Sequence, residues 1–198
     1  QVKRASDVID HMRVFGHKAD NDPVPFSVKE AVEGALDLVA AQFRLSEVKV
    51  HTDLNDAPVI ILGHQILLEQ VVLNILTNAR DAILSHNPSG PRDIHIATET
   101  DNERGMVRVI CRDTGGGIPT KLLDRIFEPF FTTKDVGQGT GLGLSISYGI
   151  VRDMGGRLVA SNVEDGGLFT IELPLMAVEE EQAEADTDAV ATKLAGNM

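Results

Sequence analysis

The order of helical and strand patterns along the chain predicts an α+β fold. Beyond residue 26, three segments place apolar residues at helical spacing, and six short segments have strand character. A glycine-rich segment, residues 127–144, precedes the last of these helices. Together these observations indicate one domain of sheet and helices, with a loop suited to contact a ligand closely.

Composition limits the classes of function. The chain has 198 residues, a net charge of −12 and a single cysteine, Cys111. The negative charge argues against a general nucleic-acid-binding protein, so no nucleic-acid partner is expected. One cysteine excludes an internal disulfide and fits a reducing compartment, which favours a cytoplasmic location. No apolar run is long enough to span a bilayer, and whether a longer parent protein is membrane-anchored stays open.

The two ends of the chain differ from its middle. Residues 1–18 carry one apolar helical stripe without a nearby partner, which indicates the end of a helical hairpin or dimer bundle. Because Gln1 already falls inside this pattern, we expect a fragment of a longer protein. Residues 19–26, with two prolines, are predicted to be a linker. Residues 176–198 are acidic and predict a disordered, solvated tail, with a regulatory role as the alternative.

The central domain is predicted to begin at Ser27. Ser27 and Glu30 form a capping box for a helix that ends near Arg44. A glycine pair at 155–156 ends the last helix, and Pro174 ends the last strand. The other predicted elements are strands near 48–52, 59–62, 94–100, 106–113, 157–162 and 168–173, and helices at 64–84 and 144–154.

Three polar residues share one face of the helix at 64–84. Asn74, Asn78 and Asp81 are spaced by four and three residues, which places their side chains in one row. Asparagine is a poor helix former, so two of them within an apolar helix suggest a function. Mg²⁺ takes oxygen ligands, keeps several waters and bridges to phosphates, which makes it the natural ligand of this row. The alternative is a polar stripe that faces solvent.

Asp113 ends a strand whose buried face is formed by alternate residues. Val107, Val109 and Cys111 precede it on that face, and three glycines follow closely at 115–117. A buried carboxylate needs a hydrogen-bond donor, and the exocyclic amino group of adenine would provide one. The glycines would let a flat base lie against bare backbone. The alternative is an Asx turn that caps the next segment.

Residues 127–144, FEPFFTTKDVGQGTGLGL, predict a lid over phosphate groups. Glycines alternate along its end, and a helix that begins directly behind them points free N–H groups at a bound anion. Phe127, Phe130 and Phe131 are expected to anchor the segment in apolar surroundings. The spacing fits neither a P-loop nor G-x-G-x-x-G. By itself the stretch would also suit a flexible loop.

These three segments, in this order, resemble the conserved boxes of sensor histidine kinases. Asn74–Ala82 is similar to the N box, Asp113–Ile118 to the first glycine box, and Phe127–Leu144 to the F box and second glycine box. The resemblance covers residues 27–174. It implies the ATP-binding catalytic domain of a two-component kinase, within the wider ATPase superfamily of gyrase, MutL and the large heat-shock chaperones, with domain bounds of 27–175.

The resemblance implies a two-layer α/β sandwich, in which a mixed, mostly antiparallel sheet packs on three helices. Residues 1–18 would be the end of the second helix of the dimerisation and phosphoacceptor domain. The helix with the reactive histidine is absent, so the chain is expected to bind ATP and Mg²⁺ but to lack its own phosphoacceptor. The implied partners are that domain, in its own chain or in a dimer partner, and the receiver domain of a response regulator. A full-length homodimer is expected.

The resemblance also implies roles for individual residues. Asn78 would bind Mg²⁺, with Asn74 in support, and both count as catalytic. Asp113 would accept from the adenine amino group, and Lys134 would contact phosphate. The other implied ATP-binding residues are Asp81, Gly115, Gly117, Ile118, Gln138, Gly139, Thr140, Gly141, Leu142, Gly143 and Leu144.

Asn74 bears on the type of reaction. Relatives that hydrolyse ATP carry a glutamate base at this position, whereas an asparagine cannot take a proton from water. Phosphoryl transfer to histidine is therefore favoured over a hydrolytic switch of the gyrase or chaperone type. A non-catalytic nucleotide-sensing or docking module of the same fold is the alternative function.

Three positions depart from the family pattern. His64 follows Gly63, where an acidic residue is often found. Gly167 stands where the motif Gly-Thr-x-Phe has threonine, so a hydroxyl near adenine is missing and lower affinity is expected. Asp81 stands where lysine or arginine is frequent.

Overall fold

The computed structural model describes residues 22–86, 89–134, 139–164 and 166–176. The predicted helix at 1–18 and the acidic tail after Met176 lie outside these residues. The described elements, in order, are β1 (Val24–Ser27), α1 (Val28–Leu45), β2 (Lys49–Asp53), β3 (Ile60–Gly63), α2 (Gln65–His86), β4 (Asp93–Asp101), β5 (Met106–Asp113), a 3-10 turn (Thr120–Leu122), α3 (Gly143–Asp153), β6 (Arg157–Val163) and β7 (Gly166–Pro174).

The main sheet has five strands in the order β2-β4-β5-β7-β6. Strands β2 and β4 run parallel, and the other neighbouring pairs run antiparallel. One hydrophobic core contains buried residues of all three helices and of the sheet. On β5 the alternation of buried and partly exposed residues turns one face of the strand to this core. The predicted α+β sandwich with a mixed, mostly antiparallel sheet is therefore confirmed.

The first strand corrects the predicted extent of the linker. β1 pairs antiparallel with β3 in a separate two-stranded sheet, with Phe26 opposite Ile61, and both side chains are buried. Residues 24–26 are therefore strand and not linker. Two prolines within four residues suggest a turn, but a proline is tolerated at the edge of a sheet, where its missing N–H breaks no ladder.

The helix boundaries follow local sequence. Ser27 precedes α1, and its Oγ accepts a hydrogen bond from Glu30 N at 3.4 Å, as the capping box predicts. The predicted apolar face of α1 is buried along its length, from Val28 to Phe43. Helix α2 reaches His86, two residues beyond its predicted end. None of the helices in the described part of the chain has the length and apolar character that crossing a membrane requires.

Candidate functional site

The carboxylate of Asp113, at the end of β5, is buried and uses its two oxygens differently. Oδ1 accepts hydrogen bonds from Gly115 N at 2.7 Å and Gly167 N at 3.3 Å. Oδ2 accepts none from the described residues. Burial raises the pKa of Asp113, although the two backbone donors act against the rise. The Asx turn considered above is therefore formed by one oxygen, and the other stays available to a ligand.

Asp113 lines a cavity of about 1030 Å³, at the upper end of the sizes known for ligand pockets. One wall of this cavity is helix α2, which contributes residues from Asn74 to His86. Other residues that line the cavity belong to the glycine loop after β5, to the lid segment and to β7. The cavity therefore joins the three segments that the sequence singles out.

Two contacts with α2 show that the site has two ends, which lie at different positions along this helix. At one end the glycine loop lies directly on the helix, since a Cβ added at Gly115 would be 2.7 Å from Ala82 Cβ. At the other end Asn74 Nδ2 donates to Gly143 O at 3.3 Å, at the start of α3. Asn74 and Ala82 are eight residues apart, or roughly 12 Å along the helix axis. An elongated ligand along α2 would contact the Asp113 carboxylate and the lid at once.

The polar row of α2 faces this cavity. Asn74, Asn78 and Asp81 all line it and are partly buried, which excludes a stripe that simply faces solvent. Lys134 of the lid reaches across, with Nζ 2.5 Å from Asp81 Oδ2 and 3.4 Å from Asn78 Oδ1. Arg80 also donates to Asp81. Burial alone would raise the pKa of Asp81, but the Lys134 and Arg80 hydrogen bonds outweigh it and hold this pKa below its ordinary value.

The same oxygens suit a divalent cation. The ammonium of Lys134 lies beside an amide oxygen of Asn78 and a carboxylate oxygen of Asp81, so this part of the cavity already accommodates positive charge. Mg²⁺ prefers such oxygen donors. Across the described ranges, no three or more His, Cys, Asp or Glu side chains gather as a metal site. A Mg²⁺ ion here would therefore depend on waters and on ligand oxygens for most of its coordination.

Two parts of the lid are in close backbone contact, at Phe130 and at Gly141. Gly141 has φ +67°, and a Cβ there would lie 2.5 Å from the carbonyl carbon of Phe130, so glycine is required on both counts. Leu142 follows, packs against the core and precedes α3. No side chain of the described chain caps the N-terminus of α3. Its first N–H groups are therefore available to an anion in the cavity.

The predicted aromatic anchor is correct only in part. Phe127 packs against the core and lies 5.4 Å from Tyr148 between ring centroids. Phe131 lines the cavity, and Arg125 stands over its ring at 4.8 Å. Phe130 is 74% exposed and has φ 65°, a left-handed conformation that is strained for phenylalanine. The backbone turns at Phe130, where it passes Gly141. This turn directs the Phe130 side chain away from the core.

Most of the predicted site residues surround the cavity. Gly115 and Leu142 are not among the lining residues: the first donates to Asp113, and the second packs on the core. Gln138 lies outside the described residues. The predicted residues that line the cavity are Asn74, Asn78, Asp81, Asp113, Gly117, Ile118, Lys134, Gly139, Thr140, Gly141, Gly143 and Leu144.

Sequence reasoning missed two polar residues that hold the site together. Ser147 is fully buried in α3 and accepts a hydrogen bond from Asn74 Nδ2 at 3.1 Å. Asn162 of β6 forms two hydrogen bonds to the backbone of Ile118. A serine within an apolar helix was the available signal for the first. Nothing local marks Asn162, because its partner is 44 residues away in the chain.

Comparison with known proteins identifies the family to which the chain is similar. The sequence profile of the family described as histidine kinase-, DNA gyrase B-, and HSP90-like ATPase matches residues 63–177. The two-component sensor PprA of Pseudomonas aeruginosa is 42% identical over 177 residues, which cover 89% of this chain and 19% of PprA. The chain thus spans about a fifth of that relative's length.

Solved structures give the same result for the fold. The catalytic domain of histidine kinase ThkA superposes with a TM-score of 0.67 at 31% identity, over 78% of this chain and 96% of that domain. ThkA in complex with the response regulator TrrA superposes with a TM-score of 0.68 over 88% of this chain and 49% of the kinase. At 24% identity, the second likeness concerns the fold alone.

Proposed function

Because this chain belongs to the histidine kinase-, DNA gyrase B- and HSP90-like ATPase family, as the ATP-binding domain of a sensor histidine kinase, we propose that its cavity binds Mg·ATP for phosphoryl transfer to a histidine. The observation that carries the proposal is the spacing along α2. The glycine loop that carries the open Asp113 oxygen lies on Ala82, whereas Asn74 contacts Gly143 at the start of α3, so an acceptor for a base and the free N–H groups of α3 lie at opposite ends of one helix wall.

Asp113 recognises the base. Its Oδ1 is occupied by backbone donors, which fixes the carboxylate plane, and its Oδ2 accepts the exocyclic N–H of adenine. Guanine has a carbonyl oxygen at the corresponding position. This oxygen and Asp113 Oδ2 are both acceptors, so no hydrogen bond could form between them. A buried carboxylate without its donor is unfavourable, and selectivity for adenine follows.

The lid and α2 hold the phosphates. Lys134 and the N-terminal N–H groups of α3 supply positive charge and hydrogen-bond donors. Asn78 Oδ1 would hold Mg²⁺ from the α2 side, with Asn74 oriented by its bonds to α3. A bound Mg²⁺ ion would neutralise part of the phosphate charge. The chain itself contributes positioning and electrostatic stabilisation.

Transfer is favoured over hydrolysis because the site lacks a base for water. Asn74 occupies the position of the glutamate in hydrolysing relatives, and its amide has no proton-accepting function at neutral pH. Its Nδ2 donates to Gly143 O and Ser147 Oγ, so the side chain holds two helices together. The acceptor is a histidine nitrogen, which forms a bond to the γ-phosphorus while the bond to the β–γ bridging oxygen breaks and ADP leaves.

The partners follow from this reaction. The phosphoacceptor histidine belongs to a dimerisation domain, in the same chain or in the second chain of a homodimer. The phosphoryl group then passes to an aspartate on the receiver domain of a response regulator. The relative PprA is a two-component sensor, and ThkA has been crystallised with its response regulator, which supports this assignment. The need for ATP and the unpaired, buried Cys111 support a cytoplasmic location.

Calorimetric titration with a non-hydrolysable ATP analogue, with and without Mg²⁺, tests the proposal. The parent chain is expected to bind the analogue, and Mg²⁺ is expected to tighten binding. Asn78→Ala should remove this Mg²⁺ effect, whereas the matched surface variant Asn102→Ala should keep it. In the full-length protein, Mg·ATP is expected to give an acid-labile phosphohistidine. No binding by the parent chain, or no phosphohistidine, would contradict the assignment.

A further inference from the structure

Asn162 of β6 makes a two-point contact with the segment that follows the glycine loop. Its Oδ1 accepts from Ile118 N at 2.7 Å, and its Nδ2 donates to Ile118 O at 2.6 Å. One side-chain amide thus satisfies both backbone groups of one residue, as a neighbouring strand would. Because both bonds must be kept at once, the position and orientation of the Ile118 peptide groups are fixed relative to the sheet.

The fixed segment is part of the cavity wall. Gly117 and Ile118 both line the cavity, whereas Asn162 is not among the lining residues. Gly117 has φ +75°, and a Cβ there would lie 2.9 Å from Asn162 Oδ1. Gly117 therefore has a backbone conformation that favours glycine. The backbone lies directly against the Asn162 amide at this residue and then continues along the cavity wall.

The contact is directly connected to the site of base recognition. Asn162 pairs with Gly167 across β6 and β7, and Gly167 N donates to Asp113 Oδ1. The glycine loop is thus held at both ends by neighbouring positions of the sheet. At its start the Asp113 carboxylate accepts from Gly115 N, and at its end the Asn162 amide binds Ile118.

We propose that Asn162 is a positioning residue for the nucleotide base. It holds the Gly117–Ile118 wall at a fixed distance from Asp113, so that a flat base fits between them with its amino group on Asp113 Oδ2. This inference rests on the function proposed above. Asn162 is exposed, so water can replace its two hydrogen bonds in a variant, and its effect on the base is expected to be separable from folding.

The test compares Asn162→Ala with Asn102→Ala, the same change at an exposed turn. Dissociation constants for ATP, ADP and GTP are measured by calorimetry, and Tm by thermal unfolding. Asn162→Ala is expected to weaken ATP and ADP by about the same factor, on the order of tenfold, because a displaced wall misplaces the base. The preference for ATP over GTP should fall, the effect of Mg²⁺ should persist, and Tm should stay close to that of the parent. Asn102→Ala should change none of these.

Asn162→Asp provides the second variant. It keeps an acceptor for Ile118 N but replaces the donor to Ile118 O by a charged oxygen, so a loss of affinity similar to that of Asn162→Ala is expected. Unchanged affinity and selectivity in both variants, with a parent chain that binds ATP, would overturn the inference while the proposed function stands. A loss confined to ATP, or one that follows a large fall in Tm, would also overturn it. A parent chain that binds no adenine nucleotide would instead contradict the proposed function.

Discussion

At the scale of the residue, Asp113 combines a structural role with the recognition role that we propose for it. Its Oδ1 closes the glycine loop and binds β7, while Oδ2 is left without a donor from the described chain. Burial raises its pKa, so ionisation of this carboxyl group costs more in the folded chain than in the unfolded chain. A carboxyl group whose pKa is raised on folding favours the folded state at low pH, and this contribution is lost as pH rises through the raised pKa.

Asp113→Asn is therefore expected to separate binding from stability. The asparagine oxygen can still accept from Gly115 N and Gly167 N, but its NH₂ group would face the amino group of adenine, donor against donor. ATP affinity should fall on the order of a hundredfold, while Tm stays equal or rises because the buried charge is gone. Calorimetry and thermal unfolding check this, with Asp56→Asn as the surface control. A variant that binds ATP as the parent does would exclude Asp113 as the base receptor.

Protonation of Asp113 should have the same two effects in the parent chain. As pH falls through the raised pKa, nucleotide affinity decreases, whereas the contribution of this group to the stability of the empty fold increases. Titrations that start at neutral pH and go into the acidic range follow this change in affinity. The Asp113→Asn variant should lack this pH dependence. Equal pH profiles for parent and variant would show that another group is responsible.

Asn74→Glu tests the account of transfer over hydrolysis. A carboxylate at this position can accept a proton from water, so the rate of ATP hydrolysis should rise by about tenfold or more. The same change removes the Nδ2 bonds to Gly143 O and Ser147 Oγ, and some loss of stability is expected. Asn74→Gln, which also lengthens the side chain but provides no base, is the matched control. If both variants hydrolyse ATP equally slowly, the position does not decide the reaction.

At the scale of the element, the lid is attached to α2 in this structure. Lys134 Nζ bonds Asp81, and both side chains are about one third exposed, with 33% and 28% of their surface accessible. Under the proposed function the phosphates would compete for the same ammonium, so nucleotide binding would break this ion pair. Asp81 thus stabilises the empty lid.

Asp81→Asn should loosen the empty lid and strengthen ATP binding. The ion pair is partly exposed, so we expect a gain in affinity of only about two- to fivefold. Proteolysis within the lid should be faster without nucleotide and equal to that of the parent with saturating Mg·ATP. The pKa of Asp81 is held low, so the pair stabilises the empty form above the ordinary carboxyl range and is lost as pH falls through that lowered pKa. A loss of affinity would instead identify Asp81 as a ligand of the metal or the phosphates.

The elements show which features could be read from sequence. The buried faces of α1 and α2 and the alternation on β5 were predictable, because a spacing of 3.6 or 2 residues directly reflects which side meets the core. The row from Asn74 to Asp81 was predictable for the same reason. The exposure of Phe130 and the contact of Asn162 were not, because each depends on chain segments that folding brings together. The pairing of β1 was hidden by Pro25 within the strand and Pro23 just before it.

At the scale of the whole molecule, stability and binding are linked through α2. Its apolar face includes side chains that are fully buried in the core, such as Leu68 and Ile83, and its polar face lines the cavity. A ligand bound along this helix binds only the folded chain. Its binding therefore raises the free energy of unfolding by RT ln(1 + [L]/Kd), where [L] is the concentration of free ligand.

The single cysteine makes this linkage measurable. Cys111 lies on β5 in the middle of the sheet, with Ile96 and Phe169 as its neighbours on the adjacent strands, and it is 4% exposed. Burial, and to a lesser degree the nearby Asp113 charge, raises its pKa to about 12. Since the thiolate is the reactive form, the folded chain should react with thiol reagents very slowly near neutral pH. Labelling then follows the unfolded fraction when refolding is faster than the reaction.

Mg·ATP should slow the labelling of Cys111 in proportion to its binding. A ligand at about 100 times its dissociation constant stabilises the folded state by about 2.7 kcal/mol, so the labelling rate should fall roughly a hundredfold. Asp113→Asn, which is expected to fold but not to bind, should show no slowing by the same ligand. Fully denatured chain should label at one rate with or without nucleotide. Rapid labelling of the native chain would mean that β5 opens locally, and an equal slowing of parent and variant would mean that the nucleotide protects the sheet from a site other than the Asp113 cavity.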